Sequence, residues 1–380
     1  MVLIQRFLLK RLNESLKPGK VLILYGARRV GKTALVKTLI KEYSEENYLL
    51  LNGEDSDAAR LLENQSIANY KRLVSNKSLL IIDEAQQIPE IGRKLKLMVD
   101  EIPNLRVLAT GSSVFDLSNK LGEPLVGRKY TMHLFPLAQM ELQGSEDLLQ
   151  TQANLEERLI FGSYPELWHL SSAKEKERYL QELVDSYLLK DILAYEGIRK
   201  SNKIYDLLRL LAFQLGKEVS THELANNLSG ISRNTVEQYL ELLTKVFVIY
   251  PVGAYSNNLR KEISKSKRWY FSDNGIRNAL IRNFNPFALR NDVGELWENY
   301  LASERIKYLS YTESDCSKFF WRTYDQQELD WVEEKQGQLF AYEFKWNQKK
   351  KAKLPKAWEK AYPESQFSVI DPSNYLDWIT

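Results

Sequence analysis

The first 150 residues predict an α/β fold built on a parallel sheet, and three observations in the sequence support this. Residues 20 to 25 (LysValLeuIleLeuTyr) are a short apolar run with the composition of a buried strand. The glycine-bearing loop Gly26-Ala27-Arg28-Arg29-Val30-Gly31-Lys32-Thr33 follows, and from Ala34 onward Leu35, Leu39, Ile40 and Tyr43 fall at helical spacing. A second apolar run, Ser78 to Ile82, ends in Asp83-Glu84, as a strand buried on both faces of such a sheet would.

The loop fits the pattern GxxxxGK[ST], and each part has a physical task. Gly26 and Gly31 let the backbone curl, so that N–H groups from Ala27 through Ala34, with Arg28, Arg29 and Val30 between, turn toward phosphate oxygens. Lys32 would reach the β and γ phosphates, and the Thr33 hydroxyl would ligate Mg²⁺. Arg28 and Arg29 stand where smaller residues are common, so one of them would also touch phosphate. Asp83 would hold the Mg²⁺ shell, and Glu84 would polarise the attacking water as general base. A third apolar run, Leu105 to Ala109, ends in Thr110-Gly111-Ser112-Ser113, hydroxyls that would sense phosphate or orient the water. A nucleoside triphosphate and Mg²⁺ are therefore the implied ligands.

The order of cradle, AspGlu strand, ThrGlySer strand end, Gly127-Arg128 and Leu134 to Leu137 resembles the AAA+ superfamily of ATPases. More narrowly it resembles prokaryotic AAA+ proteins with a long C-terminal region of unassigned function, which share AspGluAlaGln (Asp83 to Gln86) and PheGlySerTyrProGlu (Phe161 to Glu166). The resemblance implies ATP as the nucleotide, and no guanine-reading AsnLysXaaAsp pattern is present. It also implies an ATPase core over 1–150, a helical lid over 151–200, and a homo-oligomeric ring. In that ring Arg128 would be an arginine finger supplied to a neighbour's nucleotide.

Composition bounds the rest. A chain of 380 residues is long enough for two to four modules. Its net charge of +3 means that contact with nucleic acid must come from local patches. Cys316 is the only cysteine, which excludes an intrachain disulfide and fits a reducing, cytoplasmic setting. His133, His169 and His222 lack ligand spacing and are expected as packing or surface residues. With no apolar stretch near the ~20 residues needed to cross a bilayer, no membrane partner is expected. Leu3, Phe7, Leu8 and Leu12 instead form the stripe of an N-terminal helix packed on the core.

Residues 201–285 predict a winged helix-turn-helix. Ile204, Leu207, Leu208 and Leu211 line one helix, and Ser220 with Glu223 caps a second. A four-residue turn leads to a third helix with Val236, Tyr239, Leu240, Leu243 and Phe247 inward, and residues around 246–252 and 269–271 would pair as a wing. Arg233, Asn234, Thr235 and Gln238 would face DNA, with Arg260, Lys261, Lys265, Lys267 and Arg268 gripping its backbone. Protein partners are the alternative occupants of such a module.

Over 286–380 an α+β domain is expected, with Glu298 on a helix and residues 328–332 and 339–345 forming a hairpin. Asp330, Glu343 and Lys345 then match a Mg²⁺-dependent phosphodiesterase, the acids as metal ligands and the lysine beside the attacking water. This set resembles the PD-(D/E)xK nuclease superfamily, in which a helical glutamate, here Glu298, often completes the site. A nuclease-like tail that binds without cutting is the other outcome.

Overall fold

In a computed structural model, which describes residues 4–112, 125–188, 201–256, 267–349 and 352–380, the chain divides into two units. One comprises Val2–Pro136 with Lys245–Phe247, and the other Leu137–Thr244 with Val248–Thr380. Leu3, Ser113, Arg260, Lys261 and Lys265 lie outside the described residues.

The first unit runs α1 (Leu8–Ser15), β1 (Val21–Tyr25), α2 (Lys32–Leu39), β2 (Tyr48–Asn52), α3 (Ser56–Leu61), α4 (Ile67–Val74), β3 (Leu79–Asp83), α5 (Ile91–Glu101), β4 (Arg106–Gly111) and β5 (Lys129–His133). Its five strands lie parallel in the order β2-β3-β4-β1-β5. Strands β1 and β3 are buried at every position, in keeping with the uninterrupted apolar runs Val21–Tyr25 and Leu79–Ile82. The chain leaves β1, β3 and β4 at one edge of the sheet, where ligand sites of parallel sheets form. In α1, Leu8 and Leu12 are buried but Phe7 is 41% exposed, so the inward stripe is narrower than the sequence predicts.

The second unit begins with α6 (Gln139–Leu142), α7 (Leu148–Ala153), α8 (Leu155–Phe161) and α9 (Ala173–Glu182). It continues through α10 (Ser201–Phe213), β6 (Glu218–Val219), α11 (Thr221–Leu228), α12 (Arg233–Lys245), β7 (Ile249–Ala254), β8 (Lys267–Phe271) and α13 (Asn274–Leu280). It ends with α14 (Val293–Tyr311), β9 (Ser317–Arg322), β10 (Glu328–Lys335), β11 (Gln338–Phe344), α15 (Lys356–Ala361), β12 (Gln366–Ile370) and α16 (Tyr375–Ile379).

Its seven strands form one mixed sheet, ordered β12-β11-β10-β9-β7-β8-β6. The expected hairpin is present as β10 against β11, with Trp331 opposite Tyr342. Strands β7 and β8 pair antiparallel as expected, and β7 also runs parallel to β9 through Gly253–Phe319. That second pairing joins the segment carrying α10, α11 and α12 to the tail, a continuity that spacing along the chain does not reveal.

The Phe161–Glu166 segment braces this unit. Gly162 has φ +76, and a Cβ there would lie 1.8 Å from Asp273 Oδ1. The Ser163 N–H donates to Asp273 Oδ2 at 2.7 Å, while Asp273 Oδ1 caps α13 through the Gly275 N–H. Only glycine gives both the left-handed turn and the close approach.

Candidate functional site

The glycine loop leaves β1 and enters α2 as the sequence predicts. A Cβ on Gly26 would lie 2.4 Å from the Leu134 carbonyl oxygen, and Gly31 caps α2 at φ +97. Buried Arg6 steadies the loop by donating to the Val30 and Phe135 carbonyls at 2.7 Å each. Nothing in the sequence pattern marked Arg6, because its partners lie 24 and 129 residues away. Lys32 Nζ donates to the Gly26 and Ala27 carbonyls at 2.9 and 3.1 Å and stands 4.0 Å from Glu84 Oε1. Arg28 is half-buried and Arg29 exposed in the same loop, with Arg29 at φ +65.

Asp83 and Glu84 come from the end of β3, beside this loop. The Thr33 hydroxyl donates to Asp83 Oδ2 at 2.7 Å, and the Thr110 hydroxyl donates to Asp83 Oδ1. Thr110 Oγ1 also accepts from the Glu84 N–H at 3.0 Å, so one side chain positions both acids. Glu84 sits at φ +49, a conformation that costs a non-glycine residue about 1–2 kcal/mol. Gly53 closes the other side, where a Cβ would lie 2.3 Å from the Glu84 carbonyl oxygen. Buried Gln86 donates to Glu84 Oε2 and, at 3.3 Å, to Ser112 Oγ. Thr110 thus serves the acids directly and Ser112 reaches Glu84 only through Gln86, a positioning task that the sequence, which read these hydroxyls as facing phosphate or water, did not reveal.

His133, at the end of β5, lies against Phe135 and Phe247 with ring centroids 3.9 Å apart in each case. Burial, and then the neighbouring Lys32 charge, push its imidazole down to about 3, so it stays neutral as a packing residue. Arg128 is at the opposite end of the sheet from the cradle. Its carbonyl accepts from the Val21 N–H at 2.8 Å, and its side chain pairs with Asp100.

The second unit brings Glu298, Asp330 and Lys345 to one open pocket of about 730 Å³, which Arg268, Glu328 and Arg322 also line. Arg268 therefore corrects the expectation of a DNA-gripping wing residue, being 3% exposed. Its Nη1 stands 3.2 Å from Glu298 Oε1 and 3.5 Å from Asp330 Oδ1, and its Nη2 stands 2.8 Å from Glu328 Oε2. The Tyr270 hydroxyl donates to Glu298 Oε1 at 2.7 Å, the Phe344 N–H donates to Asp330 Oδ2 at 2.8 Å, and Lys345 pairs with Glu343 at 2.6 Å.

Burial, then the Asp330 charge, raises Glu298 to about 8 and Glu343 to about 7. Asp330 is raised by burial as well. Arg268 is held firmly protonated, because Glu298, Tyr270, Asp330 and Glu328 outweigh its burial. Among the described residues, no group of three or more His, Cys, Asp or Glu side chains is placed to hold a metal ion. Here the acids face a guanidinium.

A parallel β2-β3-β4-β1-β5 sheet with this loop and this carboxylate pair defines a P-loop nucleotide-binding domain. Residues 18–143 match the family model of an AAA domain. Residues 152–286 and 293–375 match two domains of unknown function, DUF8612 and DUF4143. The chain is similar to an uncharacterized protein of Mycobacterium tuberculosis, 26% identical over 341 residues that span 88% of this chain and 72% of that one. One from Methanocaldococcus jannaschii is 24% identical over 372 residues, spanning 93% and 81%. Among solved structures, a DNA replication initiation factor aligns over 62% of this chain and 86% of its own, at 14% identity and TM-score 0.29. A STAND-type signal transduction ATPase from Pyrococcus horikoshii aligns over 82% and 47%, at 12% identity and TM-score 0.30. The AAA match, falling on the segment that carries the cradle and Asp83-Glu84, supports binding and hydrolysis of ATP. No helix among the described residues is long and apolar enough to cross a membrane.

Proposed function

We propose that this chain is a Mg²⁺-dependent ATPase whose nucleotide cycle is coupled to engagement of DNA. The observation that carries the ATPase is the convergence of Lys32, Thr33, Asp83 and Glu84 at one loop mouth. The Thr33 hydroxyl and the Asp83 carboxylate, 2.7 Å apart, are the hard oxygen donors that Mg²⁺ takes. Bound there, the ion would neutralise charge on the β and γ phosphate oxygens. Lys32 swings from the Gly26 and Ala27 carbonyls to the phosphates, and the loop N–H groups hold the remaining oxygens. Glu84, fixed by Thr110, Gly53 and Gln86, takes a proton from the attacking water. Arg128, facing away from its own cradle, acts on a neighbour's nucleotide in a cytoplasmic homo-oligomer.

The proposed division keeps a core over 1–150, a lid over 151–200, a winged helix over 201–285 and a nuclease-like domain over 286–380, although residues from Leu137 on pack with the second unit and the last two segments share one sheet. DNA contact falls on exposed Arg233, Asn234 and Gln238 at the start of α12, together with exposed Lys267. The Arg233–Glu237 pair is exposed and hence weak, leaving the arginine free to exchange partners. The order α14-β9-β10-β11-α15-β12, with β12 parallel to β11, supports the nuclease-like reading of the tail. A second observation, Arg268 among the acids, supports a tail that binds without cutting and leaves protein partners open to it. Lys32→Ala should abolish phosphate release from ATP, and hydrolysis at the wild-type rate by that variant would sink the assignment.

A further inference from the structure

We infer that the carboxyl pocket of the second unit is a cation site filled by the chain's own Arg268, closed to divalent metal while the guanidinium is in place and open to one when it is withdrawn. This deepens the non-cleaving reading of the tail and rests on it. The acids come from two elements, Glu298 from α14 and Glu328 and Asp330 from β10, while the arginine comes from β8, outside the α14-to-β12 order. Its position is fixed: the guanidinium lies 4.8 Å from the centroid of the Phe320 ring, and Tyr270, two residues along β8, shares the same Glu298 oxygen. An arginine cannot shed its proton to make way for another cation.

The carboxylates are correspondingly engaged. Asp330 has one oxygen on Arg268 and the other on the Phe344 N–H, and Glu343 is held by Lys345. Mg²⁺ asks for a near-octahedral oxygen shell and gives up water reluctantly, so it does not fit a set arranged around a planar fork. Access is not the obstacle, since the pocket is open to solvent over about 730 Å³.

The test is Mn²⁺ binding to the nucleotide-free full chain, followed by electron paramagnetic resonance of the free ion. Wild type, Arg268→Gln, Asp330→Asn and the double variant are compared, with melting curves to establish folding. Arg268→Gln keeps donors but removes the charge, and it should bind Mn²⁺ at least ~10-fold more tightly than wild type. Adding Asp330→Asn should remove that gain. Wild type and Asp330→Asn should bind Mn²⁺ equally weakly. A folded Arg268→Gln chain that gains no binding overturns the inference. So does wild-type Mn²⁺ binding that Asp330→Asn abolishes, a result readable even if Arg268→Gln does not fold. DNA cleavage by wild type in Mg²⁺ would sink the non-cleaving reading itself, whereas a variant that gains no metal leaves that reading standing.

Discussion

Replacing Thr110 by Val tests how Glu84 is placed while leaving Lys32, Thr33, Asp83 and Glu84 themselves unchanged. The swap keeps the shape of a fully buried side chain, so no cavity forms. Two hydrogen bonds go: the one donated to Asp83 Oδ1, and the one accepted from the Glu84 N–H at 3.0 Å. A bond to a charged group is worth about 1.5–3 kcal/mol, and an orphaned buried donor costs about 1–3 kcal/mol. The two share one atom and overlap, so a stability loss of about 3 kcal/mol is expected. The freed Glu84 N–H is also what holds a non-glycine residue at φ +49, and the backbone will relax from that strain. If about 1.4–3 kcal/mol of this placement is lost at the transition state, turnover falls about 10- to 150-fold. Phosphate release at saturating ATP, with affinity for a fluorescent nucleotide and a urea unfolding curve, measures all three terms. Turnover within about twofold of wild type, in a folded protein, would refute the positioning role.

Two glycines give further outcomes. Gly53→Ala pushes a Cβ to 2.3 Å from the Glu84 carbonyl, so the base must shift. ATP hydrolysis should fall by about tenfold or more while the protein stays folded, and an unchanged rate contradicts the contact. Gly162→Ala places a Cβ 1.8 Å from Asp273 Oδ1 at φ +76 and should cost roughly 2–4 kcal/mol in chemical denaturation. A loss under about 0.5 kcal/mol would show the brace to be dispensable.

His133 gives a pH dependence. Its folded value, about 3, lies below the ordinary 6.5, so the unfolded chain binds more protons between them and stability falls as pH drops below about 6.5. The slope approaches ~1.4 kcal/mol per pH unit. His133→Phe keeps the contacts with Phe135 and Phe247 and should lose about 2 kcal/mol less than wild type between pH 7 and pH 5. Parallel pH–stability curves for the two proteins would contradict the assignment.

The cradle was legible because its chemistry is backbone geometry written in adjacent residues: Gly26, Gly31, Lys32 and Thr33 need no distant partner to be recognised. Asp83-Glu84 was legible for a related reason, since acids at the end of a run buried on both faces mark the ligand edge of a parallel sheet. Gly53, Arg6 and the positioning role of Thr110 were not, because each acts on an element far along the chain. Arg268 misled for a definite cause. It ends a basic stretch that reads as surface, but it is the second residue of a strand whose inward face meets acids 30 to 62 residues later. The Phe161–Glu166 segment was recognised by resemblance, yet its task of holding Asp273, 110 residues on, emerges only from the fold.

Glu84→Gln separates proton transfer from nucleotide binding, with ATP turnover and nucleotide binding measured side by side on the purified chain. The amide keeps the shape and the hydrogen bond to Gln86 but cannot take a proton from water. The variant should still bind ATP and lose turnover by about 10²- to 10⁴-fold. Undiminished hydrolysis by that variant would contradict Glu84 as the base, and with it this account of the site.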